Sequence, residues 1–352
     1  MEKIVKNKGN FFKSVRFFVF CCISTFVAGA IIASAFWYFH NSSVIQKLSA
    51  QVKPLRQKNN PYSYINPLLG YEVPNDIKEF NEFKPLEKKI QDSISKEHNA
   101  NVNSYSVYFR DLTLGRWVGI NETVPYAPAS MMKVAIMITY FKEAETKPEI
   151  LQQSLQYSTS TADEINGVAL ETPSTLQVGK NYTVEQLINA MIITSDNGAK
   201  NALLDNINQN DLNDVYTDLG LPNPANTDNY SISAKQYSLL LRVLYNATYL
   251  DRQYSEEALN IMSQAEFNQG LVAGVPQGTK AAQKFGESVD ASNTAVPVIS
   301  LSNCGIVYHT THPYILCVMT KGADLNSLSG AIASISKIVW SEVNAYAAAK
   351  NY

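Results

Sequence analysis

Ser130 and Lys133 stand three residues apart at the start of an apolar run, Pro128-Ala-Ser-Met-Met-Lys-Val-Ala-Ile-Met-Ile-Thr-Tyr-Phe141. Pro128 and Ala129 suit the first turn of a helix, where a missing N–H costs nothing. A helix apolar on all sides from Met131 to Phe141 belongs in a core. The serine and the lysine then share one face of its first turn. An amine buried there is pushed towards its neutral form, and a neutral amine beside a hydroxyl is a general base beside a nucleophile. The spacing alone is not specific, since Ser93-x-x-Lys96 and Ser334-x-x-Lys337 repeat it. A capping serine with a lysine reaching out of the core would read the same way. What sets Ser130 apart is its company. Ser195-Asp196-Asn197 and Lys284-Phe285-Gly286 follow in order, and the second of these is the chain's one Lys-x-Gly.

These residues need elements to hold them, and the chain supplies an ordered set. Leu86–His98 carries apolar residues at helical spacing. Ser104–Arg110 and Arg116–Ile120 alternate as strands around a turn at Asp111–Gly115. Thr183-Val-Glu-Gln186 is a capping box that opens a helix through Ile193, so Ser195-Asp196-Asn197 sits in the turn after it. Further helices are expected over Ala199–Ile207, Ala234–Tyr245 and Glu256–Gln264. Strands are expected over Lys280–Phe285, Ala295–Tyr308 and Tyr314–Thr320, and a closing helix over Ser327–Ala348. Strands at both ends with helices between predict an α+β fold: one antiparallel sheet completed by both termini, flanked by helices, with an all-helical lobe inserted.

The first 85 residues have a different character. Residues 1–16 form a basic tail with Lys3, Lys6, Lys8, Lys13 and Arg16. The 23 residues from Phe17 to Phe39 carry no charge and are long enough for one transmembrane helix. The positive-inside rule puts the N-terminus in the cytoplasm and everything after residue 40 outside. A cleaved signal peptide ending near Ala33-Ser34-Ala35 is the rival reading. Residues 40–85, rich in proline and asparagine, are expected to be an extended linker with short ordered pieces at Tyr62–Leu69. The domain that does the chemistry is expected over 86–352.

Net charge is −2 over 352 residues, and the positive excess lies in the first sixteen, so nucleic acid is excluded as a partner. Cys304 and Cys317 face each other on neighbouring predicted strands, as a disulfide or as two buried thiols. His309 and His312 read as polar residues of a hairpin turn, since no thiol or acidic companion suggests a metal site.

Taken together, Ser130-Met-Met-Lys133, Ser195-Asp-Asn197 and Lys284-Phe-Gly286 resemble the three signatures of the class A serine β-lactamases and the penicillin-binding DD-peptidases. The resemblance runs over about 86–352 and takes in Tyr126-Ala-Pro-Ala-Ser130, Val178-Gly179 and Gly274-Val-Pro276. It implies that Ser130 attacks an amide carbonyl and that Lys133 takes its proton. Ser195 would relay that proton to the leaving nitrogen, and Asn197 would hold Lys133 and a substrate amide. Lys284 and Gly286 would line the substrate groove, with Lys284 drawing an anionic substrate. The backbone N–H groups of Ser130 and Glu287 would form the oxyanion hole. The partner implied is a β-lactam or a peptidoglycan stem peptide, and no metal or organic cofactor is needed.

Two departures qualify this resemblance. No glutamate lies between Glu185 and Glu256 to activate a deacylating water, with Asp228 as the substitute the segment offers, and Asp218–Asp228 is expected to lead almost directly into the helix at Ala234. Phe285 stands where the family carries a hydroxyl that binds the substrate carboxylate, leaving Ser288 to serve. Acylation would then be complete and turnover slow. A DD-carboxypeptidase or transpeptidase is the alternative within enzymes, and a non-catalytic binder of wall peptide is the alternative outside them.

Overall fold

The computed structural model describes residues 29–34, 56, 60–69, 84–99, 101–157, 170, 174–227, 230–290 and 298–349. Of the expected membrane span only 29–34 falls within these, and those residues are helical. No described helix is long and apolar enough to cross a membrane. The basic tail and most of the proposed span lie outside the described residues.

One five-stranded antiparallel sheet organises the domain. Its strands are β1 (Ser104–Asp111), β2 (Trp117–Ile120), β7 (Ala281–Asp290), β8 (Val298–Val307) and β9 (Tyr314–Gly322), in the order β2-β1-β9-β8-β7. Nearly every residue of β8 and β9 is buried, so both faces of the sheet are covered. One face meets α1 (Lys84–Glu97) and α8 (Leu325–Ala349) in a core that includes Val107, Phe109, Leu301, Leu316 and Ile332. The other face meets the inserted helices: α2 (Lys133–Ala144), α3 (Val184–Ile193), α4 (Asn197–Leu204), α5 (Gln209–Asp218), α6 (Ala234–Asn246) and α7 (Arg252–Ser263). The expected α+β arrangement, with an antiparallel sheet and a helical insertion, is the one observed.

The local reasons are those the residues predict, with additions. Thr183 caps α3 by accepting from Gln186 N at 3.2 Å, while the Gln186 side chain accepts from Thr183 N at 2.9 Å. From Lys133 to Phe141 every residue of α2 is buried, which fits a helix apolar all round. Short pairings went unread: β3 (Pro125–Tyr126) with β6 (Ile232–Ser233), and β4 (Ser154–Gln156) with β5 (Asn181–Thr183). Strand β7 runs on to Asp290, past the Phe285 limit expected from its apolar residues, because β8 pairs with it along its whole length. Cys304 and Cys317, opposite each other in register, form a disulfide.

Part of the stretch expected to act as a linker lies on the domain. Ile65 is buried in the core on the helical side of the sheet. The Glu256 carboxylate on α7 accepts from the backbone N–H groups of Ser63 (2.7 Å), Tyr64 (2.9 Å) and Ile65 (2.9 Å). Arg56 donates to Asn246 Oδ1 at 3.1 Å and to the Leu112 carbonyl at 2.9 Å.

The histidines depart from expectation as well. His312 is buried, with Nδ1 2.8 Å from Asp111 Oδ2, and His309 is buried edge-on against Trp340 of α8. The closing helix covers this hairpin, and so turns a polar turn into an interior one.

Candidate active site

Ser130 is half-buried in a short 3₁₀ turn, Ala129–Met132, and α2 begins only at Lys133. The expected continuous helix from Pro128 is therefore corrected. Ala129 has φ +46°, a left-handed conformation that costs a non-glycine residue about 1–2 kcal/mol. Gly286 of β7 packs so closely on this turn that an added Cβ would collide with the Pro128 carbonyl oxygen and lie 3.1 Å from Met131 N. On the other side the Tyr237 hydroxyl donates to the Met131 carbonyl at 3.1 Å. The turn is held between strand and helix.

Lys133 is 1% exposed. Its ammonium nitrogen lies 2.8 Å from Asn197 Oδ1 and 3.1 Å from Ser195 Oγ, and it donates to the Ser195 carbonyl. Two of these partners accept only. A neutral amine would give both of its N–H groups to the two carbonyl oxygens and offer its lone pair to a hydroxyl. The geometry therefore suits Lys133 as a base.

Ser195 is itself left-handed, with φ +62°, just past the end of α3. Asp196 caps α4 by accepting from Ala199 N at 2.8 Å, and it accepts from the Tyr157 hydroxyl at 3.1 Å. Burial raises the Tyr157 pKa, so this phenol stays a donor. Asn197 follows as the first residue of α4. Backbone strain at both Ala129 and Ser195 is the pattern found where a site over-determines its geometry.

On β7, Lys284 is buried, and its ammonium lies 4.6 Å from the Phe285 ring centroid. Phe285 joins the core on the α1/α8 side of the sheet and stacks on Phe267 with centroids 4.2 Å apart. Glu287 is buried and accepts from Leu170 N at 3.2 Å, and Ser288 is half-buried opposite Ser300. Strand β7 is an edge of the sheet, which leaves outward backbone groups for a ligand. The structure thus brings Lys133, Ser195 and Asn197 together, with Ser130 in the turn just before Lys133, and sets Gly286 against that turn. Phe285 supplies no polar group.

Three residues missed in the sequence support these. Asn303 on β8 is fully buried and donates to the Lys284 carbonyl and to Gln283 Oε1, both at 3.2 Å, while accepting from Leu271 N at 2.9 Å. An asparagine inside the apolar run 298–307 was the available signal. Tyr157 and Tyr237 carried none, being two of 20 scattered tyrosines.

The connection from α5 to α6 is more than a direct passage. It folds through a 3₁₀ turn at Pro224–Asn226 and the short β6. With α2, α4 and α5 it walls a cavity of about 400 Å³ that reaches Ala129 and Lys133. None of the described residues lining it is a carboxylate, and Asp228 lies outside the described residues.

The sequence model of the beta-lactamase enzyme family matches residues 85–343. No curated protein sequence matches the chain. Among solved structures, PBP-A is similar at 21% identity and a TM-score of 0.60, over 74% of this chain and 96% of that one. A PBP-A variant, solved as its acyl-enzyme complex with penicillin G, is similar at 22% identity and a TM-score of 0.59, with the same coverage. A class A beta-lactamase from Mycobacterium abscessus is similar at 18% identity and a TM-score of 0.61, over 74% of this chain and 99% of that one.

Proposed function

The chain belongs to the beta-lactamase enzyme family, and on that premise we propose that it is a serine hydrolase acylated at Ser130, by β-lactams or by the D-Ala–D-Ala amide bonds of cell-wall stem peptides. The arrangement around Lys133 carries this reading. Ser130 Oγ attacks the amide carbonyl and its proton passes to the Lys133 amine. Ser195 Oγ, 3.1 Å from that amine, passes a proton to the leaving nitrogen. Asn197 Oδ1, at 2.8 Å, keeps the amine aimed. The oxyanion would rest on the Ser130 and Glu287 N–H groups. Lys284, Gly286 and Ser288 would line the groove for an anionic substrate. The penicillin G acyl-enzyme of PBP-A is the precedent for a covalent adduct.

Release of the acyl group is slow in this reading. General-base help in deprotonating a water contributes about 10²–10⁴-fold, and the cavity beside the nucleophile turn offers no described carboxylate to give it. The same observation favours a second reading, a DD-carboxypeptidase or transpeptidase that β-lactams trap.

In this reading the domain lies outside a membrane that residues 17–39 would span. The basic residues before that run support this, as does a disulfide of the kind that persists in oxidising compartments.

Intact-mass spectrometry after exposure to penicillin G, followed over time, tests the proposal. A lasting adduct on the wild type and none on Ser130→Ala is the expected result. Nitrocefin turnover above about 1 s⁻¹, within the ordinary enzyme range, would overturn slow release. Release of D-alanine from a stem-peptide mimic would select the peptidase reading.

A further inference from the structure

Three pieces of chain meet at the candidate site, and two of the spacings between them are accounted for above. Lys133 ties the turn that holds Ser130 to the Ser195 loop, and Gly286 sets β7 against the same turn. The third spacing, from the Ser195 loop to β7, has its own device in the segment Glu266–Leu271, which lies between α7 and β7. Glu266 N donates at 3.0 Å to the Ile193 carbonyl, an orphan acceptor at the end of α3, two residues before Ser195. The Phe267 ring stacks on Phe285 of β7, and the Phe267 carbonyl accepts from Gln283 Nε2 at 2.6 Å. Asn303 on β8 closes the link. Its Oδ1 accepts from Leu271 N at 2.9 Å, and its Nδ2 donates to Gln283 Oε1 and to the Lys284 carbonyl, both at 3.2 Å. Asn303 and Gln283 are 0% and 2% exposed, and a buried amide network whose side-chain atoms all have partners specifies one arrangement. Gly270 lets the segment come this close: its φ is +60°, and an added Cβ would lie 2.7 Å from Asn303 Oδ1.

We propose that Asn303 and the segment Glu266–Leu271 form a brace that fixes Ser195 against β7, which makes Asn303 a positioning residue for the proton relay to the leaving nitrogen. This rests on the acylation chemistry proposed above and adds the part that keeps the relay in range of the substrate. The proposed oxyanion donors do not depend on the brace, because β7 pairs with β8 along its whole length and meets the Ser130 turn at Gly286. Loosening the brace therefore slows the reactions whose leaving group must receive a proton and spares those whose leaving group needs none. A displacement of about 1 Å at a reacting centre can cost about 100-fold in rate.

Penicillin G and a thioester of N-benzoyl-D-alanine, each given to the full-length protein in detergent, separate the two cases. Ser130 Oγ bonds to the acyl carbon in both. In the lactam the C–N bond breaks and the nitrogen takes a proton through Ser195. In the thioester the C–S bond breaks and the sulfur leaves as thiolate, while the Ser130 proton stays on Lys133. Asn303→Leu is expected to slow stopped-flow acylation by penicillin G about 10- to 100-fold and to leave the first-turnover burst of thiol within about threefold of the wild type. Gly270→Ala displaces the segment without removing a polar group, and is expected to give the same split at smaller size. It decides alone should Asn303→Leu fail to fold. Equal losses with both donors, or no loss with either, overturn the proposal, since a merely structural residue gives no split. A wild type that yields neither adduct nor thiol burst overturns the acylation chemistry and, with it, the role of the brace.

Discussion

The two flanks of Ser130 are built to different standards. On one, Lys133 is buried against Asn197 Oδ1, Ser195 Oγ and the Ser195 carbonyl, and Gly286 and Tyr237 hold the turn from either side. On the other lies a cavity edged by amides, apolar groups and the lysines 133 and 200. In the proposed reading, packing and polar satisfaction serve the forming of a covalent bond, and little serves its breaking. If that reading holds, the contrast teaches that the two halves of one hydrolytic cycle are separable in a fold, because different walls serve them.

Substitutions can break that contrast, and the largest effect belongs to the packed flank. Ser130→Ala is expected to lower acylation by labelled penicillin by at least about a thousandfold, and a persisting adduct would mean another nucleophile. Next, Asn197→Ala removes one of the oxygens around Lys133. A hydrogen bond to a charged group is worth about 1.5–3 kcal/mol, so acylation should slow about 10- to 100-fold. Stopped-flow labelling measures this, and an unchanged rate would show that Asn197 does not aim the amine. On the open flank, Asn223→Glu puts a carboxylate at the cavity wall. The acyl-enzyme lifetime should shorten about tenfold, at the low end of general-base help because nothing is tuned around it. The acylation rate should stay as it was. A lifetime that does not move would place the block on release elsewhere than in a missing base.

The smallest effect concerns neither flank and serves as a control. Burial holds the His309 pKa below its ordinary value near 6.5, against the opposing pull of Asn344 and Asp111. The fold therefore prefers the neutral ring. The stability this supplies is complete above about pH 6.5 and is lost as pH falls through the lower folded value. Thermal melts between pH 5 and 7.5 should fall towards acid in the wild type and be flatter in His309→Gln. Acylation per folded molecule should be equal in the two.

Motif residues and long elements were readable because their signals are local. The capping box at Thr183 and the apolar helix after Met132 need no knowledge of the rest of the chain. The three motifs could likewise be ordered from sequence. Features set by distant neighbours were not readable. The 3₁₀ turn at Ser130 packs against Gly286, more than 150 positions on. The burial of Ile65 follows from the Glu256 clamp, and a lone isoleucine among prolines and asparagines announces nothing. The connection after α5 looked too short to matter, because the space it encloses exists only once α2, α4 and α5 are in place. Asn303 could have been flagged, since a buried amide in a strand must find partners.

The left-handed alanine beside Ser130, the proposed nucleophile, has a consequence for anyone who evolves this protein in the laboratory. Glycine at 129 would relax a conformation that alanine adopts only under duress, so selection for heat resistance alone should enrich Ala129→Gly, with a gain of up to about 1 kcal/mol visible in a melt. Selection for acylation should discard the same change, because the freed backbone lets the hydroxyl wander. Two populations bred from one ancestor would part at a single codon.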